Sequence, residues 1–378
     1  MITEFDEFPI HQTSDPIAVP ASGDRNVYDR YWFNGSDHAG AFVFEVGFGL
    51  YPNRFVQDGH WSVVVDGVQH SFHASGRAPD ERAGTRVGPL RIEARKPLRE
   101  VRVVLEPNET EIACDLVFRA STIALEEPKN RLKDGIRTLM ENSRFTQFGR
   151  WEGHFTIGGV RTEVRPETTV GTRDRSWGVR PVGEPEAGAP GRLSRPGVYW
   201  VWAPLHFDDL CSHYGTFQDP DGRATQLSAC LLPRHASIAS IPRGEDPGLR
   251  EMAEMSHRIR WRKGTRWPEA AELHFVSRDG AAFDIELEAM TRFQMHGIGY
   301  QHPQWAHGCW RGELATAAEA WQLDELDPQQ PQNIHTHTIC RARMRGEGRE
   351  RRGYGLIETI AFGPHAPSGF RSILDGAA

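Results

Sequence analysis

The chain has 378 residues, a formal net charge of -7, 38% apolar and 10% aromatic residues, and 11 tryptophans. That length exceeds what one compact core usually holds, so two domains are expected, and the composition excludes a disordered chain. Basic and acidic residues are interspersed with no cationic stripe, which argues against nucleic acid as a partner.

Residues 1–23 read as an N-terminal extension. Glu4, Asp6 and Glu7 stand where a secretory leader would carry a basic and then an apolar region, so no signal peptide is expected. No apolar run approaches the roughly 20 residues of a transmembrane helix. The five cysteines (Cys114, Cys211, Cys230, Cys309 and Cys340) are scattered and lack a Cys-x-x-Cys pair. They read as reduced thiols in a cytoplasmic protein without a structural zinc site.

From residue 24 onward the dominant signal has a period of two. Phe42, Phe44, Val46 and Phe48 alternate with Ala41, Val43, Glu45 and Gly47; Leu90, Ile92 and Ala94 alternate with Arg91 and Glu93. Phe283, Ile285 and Leu287 alternate with Asp284, Glu286 and Glu288. These are half-buried strands, and Asp66-Gly67 and Asp279-Gly280 between such runs predict tight hairpin turns. Two helices are predicted: one from Asn130 to Asn142, where Leu132, Ile136, Leu139 and Met140 share a helical face, and a weaker one between Glu245 and Met255. The Arg341–Arg352 stretch predicts a solvated hairpin tip. Strands without a strand–helix alternation give an all-β, antiparallel fold with a few short helices.

The Pro/Gly/Glu/Ala-rich segment near mid-chain divides it into domains at 24–182 and 197–378, with a linker at 183–196. Gly149-Arg150-Trp151-Glu152-Gly153 and Gly308-Cys309-Trp310-Arg311-Gly312 share a Gly-x-Trp-x-Gly pattern, which suggests two similar barrel-like halves. In each, the indole would fill a barrel interior while the glycines let strands approach.

Four constellations carry candidate chemistry. Within Gly171–Arg180, Asp174 is flanked by Arg173, Arg175 and Trp177. It is either a general acid or base desolvated against Trp177, or a structural lock to an arginine. On an extended strand both arginines point away from Asp174's face. His335 and His337 share a strand face among five late histidines, the others being His296, His302 and His307. A metal there would need a third ligand, from His307 or Glu358, and no tightly bound transition metal is expected. Glu358 shares a face with Tyr354, Leu356 and Ile360; it is either a polar anchor on a cavity wall or the partner of an arginine such as Arg311. Trp200 and Trp202 share a face opposite Tyr199 and, with Trp177, Trp310 and Tyr354, are candidate walls of an apolar pocket inside one barrel. Such walls would stabilise a carbocation through their π-faces. Nucleotide-binding and common hydrolase motifs are missing, so no cofactor is expected.

The Arg173-Asp174-Arg175-Ser176-Trp177-Gly178 block, the aromatic strand from Tyr199, and the segment from Gly353 to Glu358 with Gly363-Pro364-His365 after it resemble the two-domain lipocalin-like (calycin) proteins related to carotenoid 1,2-hydratase (hydroxyneurosporene synthase) and tocopherol cyclase. The resemblance spans about residues 24–370. It implies two consecutive lipocalin-like antiparallel β-barrels, protonation of prenyl double bonds without a redox cofactor, and Asp174 in the position of the midpoint acid. Here that acid is followed by Arg-Ser-Trp, which opens the identity of the substrate.

The expected activity is therefore cofactor-independent acid–base catalysis (a hydratase, dehydratase, isomerase or cyclase) on a hydrophobic small molecule such as an isoprenoid, steroid or polyketide. Asp174 would donate or accept the proton, with His335, His337 and Glu358 as alternates or water-positioning groups. A non-catalytic carrier for the same kind of ligand, and a metal-dependent enzyme at the His-rich strand, are the alternatives.

Overall fold

The computed structural model describes residues 2–185 and 197–378; the greater part of the expected 183–196 linker lies outside the described residues. Strands dominate, and the only helices among the described residues are short 3-10 turns. None is long and apolar enough to cross a membrane.

The strands form two antiparallel sheets. The first runs in the order Leu314–Gln322, Val68–Arg77, Val56–Val65, Phe42–Tyr51, Val27–Asp37, Thr169–Val179, Arg137–Ile157, Ile112–Ala120, Glu100–Leu105, Leu90–Lys96 and Arg86–Val87. Its two ends nearly meet, since a Cβ on Gly88 would touch Leu314 at 3.3 Å. The second sheet closes on itself: Val198–Trp202 pairs with both Leu210–Gln218 and Arg349–Phe362, and the circuit continues through Ala224–Pro233, Arg250–Trp261, Pro268–Ser277, Ala282–Gln294 and Thr336–Gly346. The protein is thus all-β, with one nearly closed and one closed barrel.

Alternation explains both interiors. Phe42, Phe44, Val46 and Phe48 point into the first barrel with Phe33, Trp61, Phe118 and Trp151. Tyr199, Val201, Tyr214, Phe275, Phe283, Ile285 and Leu287 fill the second. The other faces of the same strands do not all meet water. Every residue of Phe42–Tyr51 is buried, because the outer faces of the two barrels pack against one another through Trp32, Val43, Trp200, Trp202, Ile339 and Leu356. The second half also reaches across: its strand Leu314–Gln322 extends the first sheet at Val68–Arg77.

The Asp66-Gly67 turn joins its two strands with φ of 50° and 78°, the left-handed pair that Gly tolerates without steric cost. Asp279-Gly280 joins its strands likewise, with Gly280 at φ 85°. Arg341–Arg352 is a hairpin turning at Glu347-Gly348.

Three expectations are corrected. The Asn130–Asn142 segment is a hairpin, not a helix: Leu132 pairs with Met140 across the turn, and Ile136 at its tip is fully exposed. Leu132 and Met140, eight residues apart, are opposite one another on two strands, a spacing that two turns of a helix also bring to one face. The helix placed between Glu245 and Met255 gives way to the strand Arg250–Trp261, paired with Pro268–Ser277. The second Gly-x-Trp-x-Gly is not a barrel wall. Trp151 fills the first interior and donates to Asn34 O at 2.7 Å, whereas Trp310 lies outside any strand, 40% exposed under Arg77.

The first motif depends on close approach. Gly149 and Gly171 face each other across their strands, and a Cβ on Gly171 would fall 2.1 Å from Trp151 Nε1 and 2.4 Å from Asn34 O. Gly171→Ala must displace either the indole or the backbone acceptor. Denaturant unfolding should report a loss of about 1–3 kcal/mol; unchanged stability would show that the wall yields more easily than its packing implies.

Candidate active site

Polar groups gather on the seam between the barrels. On Val27–Asp37, Phe33 points into the first barrel, so Arg30, Trp32 and Asn34 point out toward the second. Asp174 is the register partner of Trp32 on one neighbouring strand, and Thr146 is the partner of Asp174 on the next. Glu45 leaves Phe42–Tyr51 on the same outer side. From the second barrel Trp200, Trp202, His337 and Glu358 point back, with His335 just ahead of its strand.

These side chains form a chain of hydrogen bonds. Trp32 Nε1 donates to Glu45 Oε2 at 2.9 Å, and Glu45 Oε1 lies 2.6 Å from His337 Nδ1. Glu358 Oε1 lies 2.6 Å from His335 Nε2, and its Oε2 accepts from Trp200 Nε1 at 2.8 Å. His337 Nε2 is 3.3 Å from Glu358 Oε1 but does not meet hydrogen-bond geometry. Burial opposes protonation of His337, yet the carboxylates on either side outweigh it and push its pKa up to about 10. Burial would raise the Glu358 carboxyl, but the two imidazoles hold it well below the usual range. Burial raises Glu45 despite His337.

A second group adjoins the first. Arg144 pairs with Glu127, which also accepts from Thr146 and lies 3.5 Å from His213 Nε2. Trp202 Nε1 donates to His213 Nε2 at 3.1 Å. The Arg144 guanidinium carbon sits 5.1 Å and 5.8 Å from the rings of Trp200 and Trp202. It lies over one face of each ring, a position that a substrate cation would otherwise take.

Asp174 stands between these groups. Among the described residues its carboxyl has no hydrogen-bond or ion-pair partner, and it remains partly accessible. Burial pushes its pKa up to about 6 against the pull of Arg144 and Arg30, with Glu127 and Glu358 adding to the rise. Arg173 and Arg175 point the other way: Arg173 donates to Gln147 at 2.9 Å and Arg175 pairs with Asp29 over the Tyr31 ring. Neither locks Asp174.

The structure thus brings together Asp174, His335, His337, Glu358, Trp200 and Trp202. Trp177 does not join them: it is 44% exposed, three residues along a strand from Asp174 and therefore on the opposite face. Trp310 is remote, and Tyr354 stacks on His38 at 4.2 Å further along the seam. Glu358 pairs with histidines and not with Arg311, which donates to Gln304 O. Each barrel interior holds its own cluster of buried apolar side chains. An open groove of about 610 Å3 does lie on the outer second barrel, but charged residues such as Glu272, Glu286, Arg341 and Arg343 line it, away from Asp174.

Glu45, Glu127 and Arg144 were missed. Glu45 carried a signal, as the one charged residue in Phe42–Tyr51. Glu127 and Arg144 carried none, because their significance comes from partners distant in sequence.

Fold and site together define an all-β protein of two packed barrels with a carboxylate–imidazole centre on the seam between them. The chain belongs to a family of unknown function, DUF8625, which matches residues 2–371. No curated protein matches it. Several solved structures share the fold. Kievitone hydratase from Nectria haematococca is 15% identical over 88% of each chain, with a TM-score of 0.51. A Nitrosomonas europaea protein assigned as an AttH is 13% identical over 93% of this chain and 98% of its own, at 0.53. CghA is 13% identical over 89% and 88%, at 0.50.

Proposed function

We propose that the protein is an acid–base enzyme that adds or removes water, isomerises or cyclises a hydrophobic small molecule at the barrel seam, with Asp174 moving the proton. The observation that carries this reading is the unpaired Asp174 carboxyl, poised near neutrality in a site whose other carboxylates all have partners. A general acid or base works best when its pKa lies near the operating pH. The carboxylates of Glu45, Glu127 and Glu358 are each engaged by arginine or histidine, so they are less free to exchange a proton.

In the hydration direction, protonated Asp174 gives its proton to one unsaturated carbon and water adds to the other. The surplus proton of that water returns to the Asp174 carboxylate, so the enzyme ends as it began. Dehydration is the reverse. Trp32, Phe293, Ile339 and Leu356 supply the apolar part of the seam, which supports a hydrophobic substrate such as an isoprenoid, steroid or polyketide. The likeness in fold to a hydratase agrees with this class of reaction.

Native mass spectrometry of the purified protein would identify a co-purifying small molecule, which is then returned to fresh protein in deuterated water. The expected product has gained or lost one water, or carries deuterium at a carbon. Recovery of the molecule unchanged and unlabelled would overturn catalysis and favour a carrier.

A further inference from the structure

We infer that His335, His337 and Glu358 form a binding site for a divalent transition-metal ion of the zinc class. The site goes beyond the acid–base reading and does not depend on it. One ligand atom from each of the three lies within 4.8 Å of the others, and all three side chains are buried. Bonds of about 2.0–2.2 Å to a shared ion place ligand atoms roughly 3–4 Å apart. The 3.3 Å from Glu358 Oε1 to His337 Nε2 lies in that range, and the 2.6 Å hydrogen bond to His335 Nε2 would open by about 0.5–1 Å around an ion.

The surrounding groups already orient the ligands. His337 Nδ1 lies 2.6 Å from the Glu45 carboxylate, so the ring is turned with Nε2 toward the cluster, where an entering ion would displace the Nε2 proton and take its lone pair. That Nε2 is buried and has no hydrogen bond. A carboxylate behind a ligand imidazole is the usual outer-shell partner in metal sites. Trp200 holds Glu358 Oε2, leaving Oε1 to face the histidines, and Trp32 holds Glu45 in the same way. Neither buried carboxylate has an ion pair with lysine or arginine among the described residues, so a divalent charge would balance the two. An entering ion would take the place of the proton between His335 Nε2 and Glu358 Oε1, and His335 would then carry its proton on Nδ1. Three protein ligands leave a position for water, as in catalytic zinc sites.

The other candidate cluster, His73, His302 and Glu319, lacks this arrangement. His302 Nδ1 accepts from the backbone N–H groups of Gln304 and Trp305 at 3.1 Å and 2.9 Å, so its Nε2 bears the proton and faces Glu319. No lone pair is left there for a metal.

The test uses the full chain, treated with chelator and titrated with Co2+ under visible absorption. One equivalent per chain should produce ligand-field bands, and Zn2+ should abolish them by displacement. His337→Gln should remove the bands, and His302→Gln should leave them unchanged. Glu45→Gln, which keeps all three ligands, should weaken Co2+ binding about 10–100-fold. Asp174→Asn should retain the bands even where turnover is lost, which separates this site from the proton donor. Absence of saturable Co2+ binding to the folded native chain would overturn the inference. So would bands that persist in folded His337→Gln protein, or native Co2+ affinity in Glu45→Gln.

Discussion

Asp174→Asn is expected to lower turnover by roughly 10²–10⁴-fold, the range for a lost general acid or base, while the fold survives. The amide keeps the shape of the side chain but cannot deliver the proton. No ion pair is broken, because among the described residues Asp174 has none. The pH dependence of stability gives an independent check. The carboxyl moves from an ordinary pKa of 3.8 to about 6 in the folded protein, so the native state holds this proton more tightly than the unfolded chain. Its contribution is fully present below about 3.8 and is lost as pH rises through about 6. Asparagine has no such charge to bury, so the stability of the variant relative to the native protein should improve across that interval. Denaturant unfolding at several pH values, alongside turnover, reads both effects. A lower melting temperature with normal turnover per folded molecule would remove Asp174 from the proton-donor role.

Arg144→Met should cost about 3–5 kcal/mol, the penalty for stranding a buried charge. Glu127 is 2% exposed and Arg144 20% exposed along their side chains, and burial, Arg144 and His213 together leave the Glu127 carboxyl at about 2. Without the guanidinium, Glu127 must hold its charge against the weaker support of His213 at 3.5 Å, or take up a proton. The loss also reaches Asp174, because Arg144 is the strongest charge holding its pKa down. Any activity that remains should therefore show its pH–rate limb moved upward. Adding Glu127→Gln to Arg144→Met removes the stranded charge and should recover much of the stability. A double variant no more stable than Arg144→Met would mean that packing against Trp200 and Trp202 accounts for the loss.

The period-two runs, the Asp-Gly turns and the scarcity of helical pattern determined by themselves that the protein is all-β. Strand alternation also placed Trp200 with Trp202, His335 with His337, and Asp174 away from Arg173 and Arg175, because a side chain's face on a strand follows from its position alone. What alternation cannot state is which face is inside. For Phe42–Tyr51 both faces are buried, one in a barrel and one against the other barrel. Glu45, the one charged residue of that strand, falls by alternation on the face opposite the barrel interior, where an acid ordinarily meets solvent, yet it is wholly buried. Only tertiary packing decided that the outward faces would meet, that Glu45 would lie on His337 across 292 residues of chain, and that Arg144 would cover the tryptophans. Local pattern records the period of a strand. The partner of a buried charge is set by docking two surfaces whose complementarity is spread over residues far apart in the chain.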